Sequence, residues 1–267
     1  MRFKITLHQQ GKAQIIPINY QYELSSWIYR VIETADSEFS HFLHSQGYQK
    51  GSKQFKLFTF SRFYHFKFKR IQDRLKLLSD SLSFDIAFHI DKAAEKFVMG
   101  LFQEQQLTLG DQITQAHLAV EQVSVIPVTV STTTITLQAH SPIVIAQPRL
   151  DPDGKLRKDY IPPTHPDYEG LFLRNLQEKY ISYLLEKNEG TIELSSEVPL
   201  QFKLLSEQPK SVLVKIKANT AKENKVKGYF YHFELTAPIP LIELGLNAGF
   251  GVQNSLGFGC CGEPTKY

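Results

Sequence analysis

The sequence predicts an α+β protein built from two tandem domains, and three observations support this. The chain has 267 residues, whereas an average domain has about 100–150. Its apolar pattern gives the order strand, helix, strand, strand, helix, strand, and this order recurs in the second half. The composition, 42% apolar and 21% charged, is that of a globular protein. We therefore expect two ferredoxin-like domains, residues 1–129 and 130–267, with a glycine-rich loop near the C-terminus.

The first unit begins with alternating apolar and polar residues over 2–7, which predict a half-buried strand. Apolar residues at helical spacing predict a helix around 24–32. Asp36 then caps a second, short helix that stops at Gly47. Asp91 is predicted to cap a third helix, whose buried stripe includes Phe102. Strands are predicted at about 55–60, 62–69, 84–90 and 112–125.

The second unit repeats this order after residue 130. Its long helix is predicted over 167–187, following a proline-rich connection. A second, short helix is predicted around 239–246. The strands of this unit are predicted at about 132–139, 198–205, 211–218, 228–236 and 256–261.

Several classes of protein are excluded by what the sequence lacks. Its two cysteines, Cys260 and Cys261, are adjacent and form no disulfide framework. No apolar run approaches the roughly 18–20 residues that span a bilayer, and the N-terminus leads into no signal-peptide segment. No histidine or cysteine spacing is typical of a metal site. We expect a cytoplasmic protein with no membrane partner, no metal and no cofactor.

The charge is concentrated in two segments, although the net charge is only +3. Nine basic residues and one acid lie between Lys50 and Lys76, and seven lysines and two glutamates lie between Lys203 and Lys227. In the first segment the cations alternate with aromatic residues. Such interleaving suits single-stranded RNA, whose bases stack on rings while cations hold phosphates. A strand pair with buried rings and solvated lysines is the alternative.

The C-terminal segment carries a doubled Gly-Phe-Gly pattern with glycines at 249, 251, 257 and 259. Glycines let a backbone approach a partner closely and present N–H groups to phosphates. No Gly-Lys-Ser/Thr follows, so the segment is not a P-loop, and too little chain remains for a dinucleotide-binding unit. Paired turns before the last strand could explain one glycine pair, but they do not explain two.

This doubled pattern resembles the glycine-rich loop of the RAMP superfamily and, within it, the CRISPR-associated endoribonucleases of the Cas6 type. The opening MRFKITL, the segment Trp27-Ile28-Tyr29, and Phe42-Leu43-His44 followed by residues 55–61 agree with it. The resemblance implies metal-independent cleavage of CRISPR repeat RNA in the precursor transcript to give mature guide RNAs. The 2′-OH would attack and leave 2′,3′-cyclic phosphate and 5′-OH ends. Two alternatives remain open: a non-catalytic RNA-binding RAMP subunit of a CRISPR complex, and an interaction protein without RNA.

The resemblance implies the catalytic set Tyr29, His44 and Lys56. Helical spacing independently points Tyr29 and His44 away from the apolar faces of their helices, so that both could face one cleft. His41 is the rival histidine, and Lys50 or Lys53 could serve in place of Lys56.

The same resemblance, together with the charge pattern, predicts an RNA-binding set. It comprises Lys53, Arg62, Lys67, Lys69, Lys225, Lys227, Gly249, Gly251, Gly257 and Gly259. The partner would be CRISPR repeat RNA. A homodimer and a place in a CRISPR effector complex are left open.

Overall fold

A computed structural model describes residues 1–187 and 198–264 of the chain. The helices are α1 Gln21–Ala35, α2 Ser37–Ser45, α3 Asp91–Gln103, α4 Tyr168–Glu186 and α5 Ile239–Ala248. The strands of the first half are β1 Arg2–Gln9, β2 Ile15–Pro17, β3 Tyr48–Lys50, β4 Lys53–Phe55, β5 Phe58–Phe60, β6 Phe68–Ile71, β7 Arg74–Leu77, β8 Ser81–Phe88, β9 Gln106–Gly110 and β10 Gln115–Ile126. Those of the second half are β11 Thr134–Ala139, β12 Ala146–Leu150, β13 Leu156–Tyr160, β14 Gln201–Leu204, β15 Lys210–Ile216, β16 Asn224–Phe230, β17 His232–Thr236 and β18 Cys261–Gly262.

The first domain is built on a five-stranded antiparallel sheet of order β5-β8-β1-β10-β9. Strand β1 lies at its centre and buries Phe3, Ile5 and Leu7, as their alternation predicts. Helices α1 and α3 pack against each other, and the Trp27 ring meets Phe84 and Phe97 edge to face. This packing fixes α1, which carries part of the candidate site.

The second domain is built on a four-stranded antiparallel sheet of order β14-β17-β11-β18. Helix α4 packs against β14 and α5. The Phe172 ring of α4 stacks on Phe250 and meets Phe233 of β17 edge to face. The chain is therefore a mixed α+β protein of two domains with antiparallel sheets, as predicted.

Three contacts tie the C-terminal segment to the first domain. The Arg2 guanidinium donates to the Cys261 carbonyl at 2.7 Å. The Thr59 hydroxyl donates to the Phe258 carbonyl at 3.0 Å, and Ser25 donates to the Ser255 carbonyl at 2.6 Å. The apolar core cluster is also continuous from the first domain into the second. The glycine-rich loop, residues 249–259, is thus held against β5 and α1.

Some predicted strands are wrong. The strand expected over 62–69 is mostly irregular chain, with His65 in the left-handed region, and regular pairing begins only at β6. The strand expected over 228–236 is two strands that break at Tyr231: β16 pairs with β15, whereas β17 joins the main sheet. Alternating apolar residues do not show that the pairing partner changes.

Other boundaries also differ from the predictions. The proline-rich connection contains the β12–β13 hairpin, which was not predicted. The closing strand is only Cys261–Gly262 and follows a short 3-10 turn at Asn254–Leu256. Phe102 is 78% exposed because it lies about 140° from Phe97 around α3, away from the face that buries Phe97 and Leu101. Asp91 does not cap α3 but is its first residue, after Ile90. Among the described residues, no helix has the length and apolar character needed to cross a membrane.

Candidate active site

Helix α2 ends at the candidate site, and its sequence explains its short length. The Asp36 carboxylate accepts from the Phe39 amide at 2.9 Å and caps the helix start. At the other end Gly47 adopts a φ of +63°, and its amide donates to the Phe42 carbonyl at 2.7 Å. His44 lies in the last turn, with its side chain exposed.

Tyr29 on α1 lies directly beside His44. The two ring centroids are 5.5 Å apart and the rings meet nearly edge to face, at 80°. On its other side the Tyr29 ring meets Phe58 at the same separation. The Ser40 hydroxyl donates to the Tyr29 carbonyl at 3.2 Å, which fixes α2 against α1 at this level. The structure therefore brings together two residues that helical spacing turned outward.

Lys56 completes the group. Its ammonium donates to the His44 carbonyl at 3.0 Å, one of the carbonyls left without a helical partner at the end of α2. Gly47 allows this approach, because a Cβ at that position would lie 3.1 Å from the Lys56 Nζ. Partial burial lowers the pKa of Lys56.

Of the rival lysines, Lys53 forms an ion pair with Glu178 of α4, with Nζ and Oε2 2.5 Å apart. Lys50 ends β3, across the β3–β4 hairpin from Lys53. The contact with His44 therefore favours Lys56 among the three. His41 is exposed one turn before His44.

The protonation state of Tyr29 follows from its burial. Desolvation raises the pKa of its phenol to about 12, and the nearby Ser255 side chain acts in the opposite direction. The phenol is therefore neutral at physiological pH and able to donate a hydrogen bond. Ser255 was not identified from the sequence, since a serine in a glycine-rich loop carries no distinguishing signal.

A cleft of about 170 Å³ opens beside Lys56, between residues 54–57 and residues 251–255 of the glycine-rich loop. The four loop glycines are buried and have φ between +70° and +86°. A Cβ at Gly259 would lie 1.9 Å from the Phe250 carbonyl oxygen, so the loop cannot close with a larger residue there. The amides of Gly249, Gly257 and Gly259 donate to carbonyls of the protein itself.

The basic residues predicted to bind RNA lie on several surfaces. Lys225 and Lys227 are exposed on β16, whose buried residue Val226 packs in one apolar cluster with Phe258 of the glycine-rich loop. Arg62 is exposed over the Phe230 ring, in a cleft between the two domains. Lys67 and Lys69 are exposed at β6, the edge strand of a small three-stranded sheet. Of these residues Lys225 and Lys227 adjoin the loop, and Lys53 lines a cleft together with Val252 and Gln253 of the loop.

No metal ligand set accompanies these groups: in residues 1–187 and 198–264, no three His, Cys, Asp or Glu side chains are placed to hold an ion together.

Two family models match the chain, one after the other. The model of the CRISPR-associated protein Cas6 N-terminal region matches residues 15–123, and that of the Cas6 C-terminal region matches residues 125–262. The chain belongs to the Cas6 family.

Relatives in this family resemble the chain over nearly its whole length. The CRISPR-associated endoribonuclease Cas6 1 of Methanocaldococcus jannaschii is 28% identical over 97% of this chain and 91% of its own. The CRISPR-associated endoribonuclease Cas6 of Pyrococcus furiosus is 26% identical over 97% of this chain and 88% of its own.

Solved structures agree on the fold. A Cas6-related protein of P. furiosus superposes with a TM-score of 0.79 at 21% identity, covering 98% of this chain and 97% of its own. An RAMP protein described as binding different RNA substrates superposes with a TM-score of 0.78 at 20% identity, covering 98% of each chain. Both proteins therefore share the fold of this chain over nearly its whole length.

Proposed function

We propose that this Cas6 family member is a metal-independent endoribonuclease that binds and cleaves CRISPR repeat RNA in the precursor transcript, releasing mature guide RNAs. The observation that carries the proposal is the group formed by His44, Tyr29 and Lys56 at the end of α2. It combines an exposed imidazole, a neutral phenol and an ammonium, which can supply the proton transfer, the hydrogen bond and the positive charge that an RNA transesterification without metal uses.

In the proposed reaction the substrate's 2′-oxygen attacks the adjacent phosphorus. The bond between 2′-oxygen and phosphorus forms while the bond from phosphorus to the 5′-oxygen breaks, leaving a 2′,3′-cyclic phosphate and a 5′-OH. A base takes the 2′ proton and an acid supplies a proton to the leaving 5′-oxygen. The exposed His44 imidazole fills one of these two roles.

The other two residues act around this proton transfer. The neutral Tyr29 phenol donates a hydrogen bond that positions the reacting ribose. The Lys56 ammonium has protons left over after its bond to the His44 carbonyl, and it stabilises the charge that grows on the phosphorane.

We propose that RNA reaches this group along the β15–β16 hairpin and the outer part of the glycine-rich loop. Lys225 and Lys227 would hold phosphates, and residues 252–256, which are partly exposed, would contact the strand. Lys53, Arg62, Lys67, Lys69 and the loop glycines 249, 251, 257 and 259 complete the proposed RNA-binding set. A homodimer, an effector complex and a cytoplasmic location stay predictions.

The strand orders of the two main sheets support two ferredoxin-like domains. In the first sheet β1 lies between β8 and β10, with β5 beyond β8. In the second sheet β11 lies between β17 and β18, with β14 beyond β17, which is the same arrangement. We place the domain boundary between residues 129 and 130, after β10 and before β11.

The proposal is tested by incubating the purified protein with CRISPR repeat RNAs in excess EDTA and resolving the products. We expect cleavage at one position, with a 5′-OH that a kinase labels without prior phosphatase treatment. Tight binding without cleavage would identify the RNA-binding subunit instead. Cleavage that needs added metal would contradict the mechanism.

A further inference from the structure

Lys179 on α4 is the only lysine among the described residues that is fully buried, with 2% of its surface exposed. A buried ammonium is expensive because it loses its hydration, and proteins retain one only where other groups replace the water. The groups that replace water around the Lys179 ammonium therefore indicate what this residue does.

The Lys179 ammonium donates three hydrogen bonds, all to the glycine-rich loop. Its acceptors are the Gly249 carbonyl at 2.6 Å, the Gly251 carbonyl at 2.6 Å and the Asn254 side-chain oxygen at 2.7 Å. An ammonium has three protons, so this set satisfies it completely. Burial lowers the pKa of Lys179 to about 7, and the nearby Cys261 acts in the opposite direction. The three acceptors also favour the charged form.

Asn254 connects the Lys179 ammonium to both ends of the loop through its side-chain amide. Its amide nitrogen donates to the Phe250 and Phe258 carbonyls, both at 3.0 Å, one from each Gly-Phe-Gly segment. The Lys179 ammonium and the Asn254 amide together therefore tie both halves of the loop to α4.

The next residue in the chain connects the loop with the candidate active site. Ser255 follows Asn254, and its carbonyl accepts from the hydroxyl of Ser25, which lies one turn before Tyr29 on α1, at 2.6 Å. The Ser255 side chain lies near the Tyr29 phenol and acts to lower its pKa. Lys179 also lines the cleft beside Lys56.

We propose that Lys179 is a positioning residue: it holds the glycine-rich loop so that Ser255 orients Tyr29 for cleavage. The inference rests on the proposed function of the site. Lys179 does not reach the RNA, because its surface is buried and its three protons are used within the protein.

The test compares Lys179→Met with wild-type protein in single-turnover cleavage of a repeat RNA that the wild type cuts. We expect the cleavage rate to fall about tenfold or more, since small displacements of reacting groups have effects of this size. The dissociation constant for an uncleavable 2′-deoxy RNA should stay within about threefold of the wild-type value. The matched control is Tyr168→Phe. Tyr168 lies at the start of the same helix, α4, and this change removes its buried hydrogen bond with Tyr231 rather than a contact with the loop. It should cleave at the wild-type rate.

A double-variant cycle separates positioning from a general effect on folding. When Lys179→Met is added to Ser255→Ala, it should slow cleavage by less than about threefold more, because both changes act through the orientation of Tyr29. If the two losses multiply, or if Lys179→Met cleaves like the wild type, the inference is wrong. If Lys179→Met does not fold, Asn254→Ala replaces it and should slow cleavage several-fold; an unchanged rate would also overturn the inference. Absence of cleavage by the wild type would instead refute the proposed function.

Discussion

Tyr29 lies between two rings, with Phe58 on one side and His44 on the other, and this contact determines its chemistry. Burial raises the pKa of its phenol further above physiological pH, while the imidazole beside it is exposed. At the scale of single residues, the site therefore separates a buried hydrogen-bond donor from an accessible proton-transfer group.

His44→Ala should reduce the cleavage rate about a hundredfold or more, because it removes the group that moves a proton. Binding of repeat RNA should persist, since the basic surfaces are untouched. The measurement is single-turnover cleavage together with a binding titration. The control is His41→Ala, which makes the same histidine-to-alanine change on the same helix. Equal loss of cleavage and of binding would refute the catalytic role of His44.

Tyr29→Phe should slow cleavage without changing the shape of the pH–rate profile between about pH 5 and 9. The pKa of Tyr29 is raised to about 12, so the phenol remains protonated throughout this range and contributes no titration. The measurement is the rate across this range for both proteins. An alkaline limb that disappears only in Tyr29→Phe would show that the phenol ionises.

At the scale of elements, the end of α2 and the β3–β4 hairpin must fit each other closely. Gly47 ends the helix, and a Cβ there would lie 2.5 Å from the Phe55 carbonyl oxygen. Because Lys56 directly follows Phe55, the close approach of Gly47 to the Phe55 carbonyl also determines where the Lys56 ammonium lies.

Gly47→Ala should destabilise the protein by about 1–3 kcal/mol, since it adds a steric clash to a left-handed backbone. Cleavage should also slow, because Phe55 and Lys56 must shift. Gly51→Ala is the matched control. Gly51 lies in the turn of the β3–β4 hairpin and also has a positive φ, +58°, but nothing lies within 4 Å of its Cβ position. Denaturant unfolding and cleavage rates measure both effects. Equal effects of the two variants would exclude the contact as the cause.

Helix ends and outward-facing residues could be predicted from the sequence, because capping and helical spacing act locally. Asp36, Gly47 and the pairing of Tyr29 with His44 follow from such local rules. The break at Tyr231 could not be predicted, because it depends on which distant strand pairs on each side. The burial of Lys179 could have been predicted from one feature of the sequence: the residue occupies an apolar-face position of α4, three residues after the buried Leu176.

At the scale of the whole molecule, a small net charge coexists with strongly basic surfaces. Lys225→Ala combined with Lys227→Ala should weaken RNA binding and reduce the magnitude of the slope of log affinity against log salt by about 1.4–1.8, because each lost phosphate contact contributes roughly 0.7–0.9. The measurement is a binding titration at several salt concentrations. The control combines Lys12→Ala with Lys92→Ala, which removes two exposed lysines outside the proposed RNA path. If both double variants change the slope equally, the hairpin has no special part in binding.

The central claim is that the substrate's own 2′-OH is the nucleophile. The most direct test is one repeat RNA, made with and without a single 2′-deoxy substitution at the scissile nucleotide and incubated with the protein in excess EDTA. We predict that the substituted RNA binds with unchanged affinity and is not cleaved at that phosphate. Cleavage of the 2′-deoxy RNA at the same phosphate would contradict the claim and would require a nucleophile from elsewhere.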